Sequence, residues 1–554
     1  MRIASNFYFL MACGAGLALA GCNLAPHYEK PKVETTASFK EAVPDPSGGA
    51  QDWRIAQPND STLRGKWWEL YHDQQLNDLE ERVTVSNQTV AAAEANYRVA
   101  RALLSEAQSN FFPTVSVDPS VIRSRSSAST SSSGGSSTSG STSPNPSAGS
   151  GTGPRTTYTL PFEATYEVDL WGSVRNAVAQ SSFEAQASAA NVETAILSTR
   201  STLAQSYFAL RAADEQRRIL DTTLADYEAS VHLVRTLYNN GLASEEDLAE
   251  ADTQLASAEA EATDLGIARA QYEHAIAVLI GMPPSLFSVG VRPFNPALPV
   301  IPVAVPSDLL ERRPDIAAAE RQVAAANAGI GLARAAYFPD VTLGASAGFA
   351  ATSLSKLFDW PNRIWSVGPT VAQAIFDGGL RNAQNAQARA TYDADVANYR
   401  QAVLVAFQSV EDNLVSLRVL AKEVTQQHTA AVAAQQTVKL SVVRYQNGLD
   451  SYVNVITAQN TFLTNRLAEL QVQLRQVTAS IALVNNLGGG WDTSQWSETE
   501  KTALHPQGAG DKPVSPAENA GPGIANPPPV SQDAKNPDDL LKQNEEDMSQ
   551  GPVH

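Results

Sequence analysis

Seven histidines and two cysteines are the residues of this chain best suited to metal or nucleophilic chemistry, and their spacing excludes most of it. His27, His72, His232, His274, His428, His505 and His554 are scattered, and no HExxH or CxxC pairing or nucleotide-cradling glycine loop occurs. His232 and His274 read as polar helix-face residues. The chain is therefore not expected to be an enzyme or to carry a metal or an organic cofactor. What remains is Cys22, closing the run Leu19-Ala20-Gly21-Cys22. There a thiolate behind two small residues can be alkylated on sulfur to give a lipid-bearing thioether.

The elements before that cysteine suit the same chemistry. Arg2 gives a minimal positive start, and Phe7 to Ala20 form an apolar stretch of signal-peptide length, too short to span a bilayer. Residues 1–21 are thus expected to be a secretion signal, and Leu19 to Cys22 resembles the lipobox of bacterial lipoproteins, which implies lipidation at Cys22. Cys13 would leave with the signal, so no internal disulfide is possible. Several acyl chains, at about 0.8 kcal/mol per buried methylene, make a stable anchor. Asn23 stands where an aspartate would resemble an inner-membrane retention signal, which points the anchor to the outer membrane.

Composition narrows the partners. A formal net charge of -18 argues against nucleic acid, which is held by clustered Lys and Arg. Charged residues make up 18% and hydrophobic ones 43%, and no run of about 20 apolar residues appears, so any membrane crossing must use strands. From Ser497 to His554 there are ten acids against four lysines, nine prolines and no aromatic residue. A disordered acidic tail over 493–554 is expected.

The chain contains one unit twice. Asn87-Gln88-Thr89-Val90-Ala91-Ala92-Ala93-Glu94 aligns with Arg313-Pro314-Asp315-Ile316-Ala317-Ala318-Ala319-Glu320 at an offset of 226 (313 minus 87), which holds to Phe111-Phe112-Pro113 against Tyr337-Phe338-Pro339. Tyr238-Asn239-Asn240-Gly241-Leu242 then matches Tyr445-Gln446-Asn447-Gly448-Leu449 at 207 (445 minus 238). The difference is an insertion in the first copy, where the Ser/Gly/Thr tract 124–153 lies; a flexible loop tolerates such length cheaply. The expected organisation is a lipidated segment over 22–60, a first repeat over 61–300 and a second over 301–492.

Each repeat reads as a helix, two strands and a helical hairpin. From Tyr158 to Leu170 every even position is apolar or small, and the odd positions include Glu163, Glu167 and Asp169, so one face suits lipid and the other water. Strands are expected at about 114–123, 156–169, 340–350 and 363–375. No proline falls between Pro161 and Pro283 or between Pro369 and Pro506, and Gly172 to Tyr238 is helical in pattern throughout. At about 1.5 Å per residue such a helix is roughly 100 Å long, far more than a compact core needs. Each rod folds back at a glycine, near 241 and near 448. Four strands cannot close in lipid, where every unpaired edge group costs several kcal/mol, so the chain must share a cylinder with copies of itself, eight strands in a dimer or twelve in a trimer.

The run Leu310-Glu311-Arg312-Arg313-Pro314-Asp315-Ile316, then Ala335-Ala336-Tyr337-Phe338-Pro339, Ile375-Phe376-Asp377-Gly378-Gly379, Arg444-Tyr445-Gln446-Asn447-Gly448 and Leu487-Gly488-Gly489-Gly490-Trp491 resembles the outer membrane efflux proteins of the TolC family, in particular their lipoprotein branch of the NodT type. The resemblance covers about residues 60–492. It implies an α+β membrane protein that assembles as a homotrimer into a 12-stranded β-barrel continued by a periplasmic α-helical barrel. It further implies a lipid-anchored exit duct in the cell outer membrane, served by a periplasmic adaptor and an inner-membrane pump of the resistance-nodulation-division class. A type I secretion duct, an adaptor or a structural coiled-coil lipoprotein are the alternatives.

In that family the hairpin tips, here Tyr238 to Gly241 and Tyr445 to Gly448, close the periplasmic mouth and receive the adaptor. The family's lock carries over to Asp247 and Tyr445, although Asp247 with Glu245 and Glu246 also suits a helix start. Acids that ring the mouth elsewhere fall here on Asn454 and Thr457, and a basic lock residue falls on Asp450. A neutral ring binds cations less strongly than carboxylates, while Val453 can form an apolar constriction.

Overall fold

A computed structural model describes residues 23–33, 39–41, 66–125, 154–299 and 313–489. The signal stretch, Cys22, the Ser/Gly/Thr tract beyond residue 125 and the acidic tail lie outside the described residues.

Seven α-helices and one sheet are described. A short 3-10 turn at Trp67–Tyr71 leads into α1 (Gln74–Ser86) and α2 (Gln88–Ser109), followed by strands β1 (Thr114–Val117), β2 (Ser120–Ser124) and β3 (Arg155–Glu167). The long α3 (Ser173–Asn239) and α4 (Glu245–Leu279) complete the first copy. The second consists of α5 (Pro314–Ala335), β4 (Asp340–Ala351), β5 (Arg363–Ala372), α6 (Leu380–Gln446) and α7 (Tyr452–Asn486). Twin helices have the same length: 22 residues for α2 and α5, 67 for α3 and α6, 35 for α4 and α7. Among the described residues no helix is long and apolar enough to cross a membrane.

Left-handed glycines fix the corners. Gly241 and Gly448 have φ of 71° and 68°. After each, the next residue's N–H reaches back five residues, Leu242 to the Leu237 carbonyl at 2.8 Å and Leu449 to the Arg444 carbonyl at 2.9 Å. This C-terminal motif places a residue with positive φ just past the helix end, which glycine adopts without steric cost. The returning helix α4 then starts on a capping box: Ser244 Oγ accepts from Asp247 N at 3.0 Å, and the Asp247 carboxylate accepts from Ser244 N at 3.2 Å. Its twin α7 has Asn454 in place of Asp247 and shows no side-chain cap.

All strand pairs are antiparallel, with β1 and β2 both lying along β3, then β4, then β5. The first expected strand is thus two segments, broken at Asp118 and Pro119, because proline has no N–H to give to a ladder. Register survives the break. Thr114 faces Thr165 and Ser120 faces Thr159. The twins of these residues face each other as well, Asp340 with Ala372 and Ser346 with Ser366.

The main core lies where the 3-10 turn and α1 pack across three long helices. Trp67, Trp68, Tyr71, Leu76, Leu79 and Val83 meet Leu203, Tyr207 and Phe208 of α3, Ile276 of α4, and Val477 and Ile481 of α7. Burying aromatic side chains of this size gives a large apolar gain where these elements meet. Polar ties add direction: Asp73 caps α1 through Gln75 N at 2.9 Å and accepts from Tyr207 Oη at 2.6 Å. A buried ionic network holds the link between copies. Asp214, its side chain 1% exposed, accepts from Arg211 and Arg269 at 2.8 Å each. The two guanidinium groups also donate to the Gly290 and Val289 carbonyls.

Residues 23–33 run along α5 against its direction. Arg334 donates to the Leu24 carbonyl at 3.3 Å, Asn327 to the Pro26 carbonyl at 2.9 Å, and Tyr28 Oη to Glu320 at 2.9 Å. Further on, Phe39 is buried with Val410 and Leu414, and the Glu411 carboxylate accepts from Lys40 N at 2.7 Å and Glu41 N at 2.9 Å.

Candidate functional site

Two regions could carry function, the paired hairpin tips and the two-faced sheet. The tips are packed together by apolar residues from four helices: Val231 and Val234 of α3, Ala251 of α4, Tyr445 of α6, and Tyr452 and Val455 of α7. The Tyr445 and Tyr452 rings lie 5.2 Å apart in tilted contact. Beyond them Tyr238 and the twin leucines Leu242 and Leu449 are exposed, the leucines at 75% and 70%. Apolar side chains held out on rigid turns suit a partner surface.

The structure brings Asp247 and Tyr445 near each other, but the expected phenol–carboxylate hydrogen bond is not formed. The Tyr445 hydroxyl is buried and has no hydrogen-bond partner, and the Asp247 carboxylate is committed to its own helix cap. Burial raises the Tyr445 pKa above the ordinary phenol value, and the charge of Asp247 raises it further.

The ionic contact at this tip is a different one. Asp450 accepts from Arg444 Nε and from Ser451 N, both at 3.1 Å, and from the Asn454 amide. The Asn454 hydrogen bond, followed by that of Arg444, holds its carboxyl below the usual range. Arg444 was given no role by sequence alone. A basic residue six positions before an acid across a glycine turn was the available signal. Of the other residues expected at the mouth, Val453 is half exposed and Thr457 turns its hydroxyl back to the Val453 carbonyl at 2.8 Å. Asn454 and Thr457 are thus both engaged within their own hairpin. A groove of about 650 Å³ runs up from the tips between α3, α6 and α7, lined by Tyr227, Leu233, Val442, Val443, Gln459 and Phe462 among others.

The sheet sorts its side chains by face. Across three strands, Phe162 faces Ala347, which faces Trp365, and Ala164 faces Ala345, which faces Val367. The neighbouring rows are polar: Ser116, Glu163, Ser346 and Ser366 in one, Glu167, Thr342 and Thr370 in another. Hydroxyls pair along the polar face, Ser120 with Thr159 at 2.6 Å and Ser346 with Ser366 at 2.8 Å. Trp360, Trp365 and Phe358 stand exposed where β4 turns into β5. An apolar face with an aromatic edge, backed by a polar face, is how a strand meets lipid on one side and an aqueous lumen on the other. No group of three or more metal-ligating side chains is found among the described residues.

The family model of outer membrane efflux proteins matches residues 80–282 and 305–489, one segment on each copy. The solvent efflux pump outer membrane protein SrpC of Pseudomonas putida is 30% identical over 484 residues, 86% of this chain and 97% of its own. The pyoverdine export outer membrane protein OpmQ of Pseudomonas aeruginosa is 31% identical over 497 residues, 88% of this chain and 98% of its own. Among solved structures, the outer-membrane channel OprN superposes with a TM-score of 0.73 at 28% identity, covering 85% of this chain and 100% of its own.

Proposed function

The chain belongs to the outer membrane efflux protein family and is the outer-membrane exit duct of an efflux pump; we propose that it works as a lipid-anchored homotrimer, bound at its hairpin tips by a periplasmic adaptor and an inner-membrane pump of the resistance-nodulation-division class. One observation carries the reading: a sheet with one lipid-compatible and one polar face continues directly into 67-residue helices. Strand and rod therefore belong to one wall, in the membrane at one end and beyond it at the other. Three copies supply twelve strands, and a barrel of that size leaves a lumen, whereas one of eight is filled by its own side chains. The duct supplies a path and no catalysis.

The lipid anchor is supported by the path of residues 23–33. Leu24 lies against Arg334, one residue before the end of α5. From there the chain enters the sheet at Asp340. Leu24, two residues after Cys22 in sequence, is therefore held at the end of α5 from which the chain enters the sheet. Adaptor docking is supported by the exposed leucines at both tips and the groove above them.

The test is accumulation of a fluorescent efflux substrate in cells lacking the gene, with complementation by the wild type and by Cys22→Ser. Restored efflux by the wild type and metabolic palmitate labelling that Cys22→Ser abolishes are expected. Failure of the wild type to restore efflux, or labelling unaffected by Cys22→Ser, would overturn the corresponding part.

A further inference from the structure

The apolar face of the sheet carries charge of one sign in one place. One of its rows joins Phe162, Ala347 and Trp365, and the next row away from the helices joins Leu160, Phe349 and Arg363. On β2, Val121 faces Tyr158 on the same side of the sheet, and Arg123 follows two residues on, facing Thr156. Arg123 and Arg363 are the only charged side chains in the apolar rows of the five strands, and both lie toward the end remote from α5 and α6. The acids Glu163, Glu167 and Asp340 all belong to the polar rows.

The turn between β4 and β5 brings a further cation beside Arg363. The Lys356 carbonyl accepts from Asp359 N at 3.1 Å and from Asn362 Nδ2 at 2.6 Å, which ties Lys356 to the residue before Arg363. Phe358 packs edge-on against Phe349 with ring centres 5.6 Å apart, so the turn leans over the apolar face. The Arg363 guanidinium lies 4.2 Å from the centre of the Trp360 ring and donates through Nη1 to the Trp360 carbonyl at 3.2 Å. A guanidinium has five N–H donors, so most of them stay available. Lys356 and Arg363 are exposed, and among the described residues neither has an ion-pair partner, Asp359 of the same turn included.

Height along the strand decides what these cations meet. From Val371, in the apolar row next to the helices, to Arg363 is eight residues (371 minus 363), about 27 Å of extended strand. At the usual tilt of about 40° this covers most of an apolar band about 25 Å tall, so Arg363 stands at its outer edge. Trp360, Trp365 and Phe358 are exposed at the same level, where aromatic side chains mark the boundary between acyl chains and headgroups.

We propose that Arg363 and Lys356 bind the phosphate of an acylated glycolipid of the outer leaflet, with Trp365 and Phe358 against its acyl chains. The inference rests on the duct reading, which puts the β4–β5 turn on the outer side because α5 leads into β4 and β5 into α6 at the opposite end. The guanidinium, steadied on Trp360, takes phosphate oxygens through its forked N–H groups, and the ammonium adds a point charge. A free phosphate would use the cations and leave the aromatic edge uncovered.

The test is native mass spectrometry of the detergent-purified full-length protein titrated with bisphosphorylated lipid A, lipid A stripped of both phosphates, or phosphatidylglycerol. The wild type is expected to bind bisphosphorylated lipid A about fivefold or more tightly than either other lipid. Arg363→Gln with Lys356→Gln should abolish this preference while leaving affinity for the stripped lipid unchanged. Arg363→Lys, which keeps the charge and loses the fork, should retain part of it. Lys422→Gln, at an exposed lysine on α6, should retain all of it. No preference in the wild type, a preference that survives in the double variant, or one that Lys422→Gln also removes overturns the site. Phosphatidylglycerol bound as tightly as bisphosphorylated lipid A overturns the glycolipid assignment. A wild type that binds none of the three lipids overturns the duct reading beneath it.

Discussion

Asn87 donates its side-chain amide to the Leu279 carbonyl at 2.7 Å, tying the start of α2 to the last turn of α4. Its twin Arg313 donates to the Asn486 carbonyl, the twin of Leu279, at 3.1 Å. The two copies thus close the same loop with different chemistry. Asn87 also caps α2, accepting from Thr89 N at 2.8 Å and Val90 N at 3.0 Å.

Asn87→Ala removes both the cap and the tie, and is expected to destabilise the protein by about 1–3 kcal/mol. Asn87→Asp keeps the capping oxygen and loses only the donor, so its cost should be smaller. Thermal unfolding in detergent, read by circular dichroism, ranks the two. Equal costs would mean that the cap contributes nothing.

At the hairpin tip, Asp450→Ala releases Arg444 and Asn454 from the contact they now make. Single-channel conductance in planar bilayers is expected to rise. Tyr445→Phe removes a hydroxyl that has no partner, so it should leave conductance unchanged and cost little stability. A large opening by Tyr445→Phe would instead place the gate on the phenol.

Glu80 on α1 is fully buried, and neither carboxylate oxygen has a hydrogen-bond partner. Burial raises its pKa well above the usual value, and the nearby Arg200 offsets this only in part. The folded pKa therefore exceeds the unfolded one, near 4.3. The associated stability is fully present below about pH 4 and is lost as pH rises through the folded value. Glu80→Gln, which stays neutral, should match the wild type in acid and unfold on the order of a few degrees higher near pH 8. A difference independent of pH would show that Glu80 does not titrate.

Asp214→Ala leaves Arg211 and Arg269 facing each other without the carboxylate they share. Breaking a buried ion pair from one side costs about 3–5 kcal/mol. The same guanidinium groups hold the Val289 and Gly290 carbonyls, so limited proteolysis should begin to cut near Val289. Intact digestion patterns would contradict this assignment.

Much of the fold is legible because duplication is a statement about spacing. Offsets of 226 and 207 need no knowledge of packing, and they reappear in the twin helix lengths and in the shared register of β1, β2 and β4. The alternation from Tyr158 to Leu170 likewise separates the two faces directly. Burial of charge is harder to read. Glu80 and Glu81 look like a solvated acidic pair, yet Glu80 shares the spacing of Leu76, Leu79 and Val83 and is buried with them. The tip stays open in the sequence for another reason: whether Asp247 reaches Tyr445 or caps its own helix depends on ångström-scale geometry, and this structure shows the cap.

On the duct reading, copies of this chain complete one another's wall around a lumen. Multi-angle light scattering of the detergent-purified full-length protein, corrected for bound detergent, tests it most directly. Three protomers per particle are expected, and a monodisperse single protomer would rule out a shared wall.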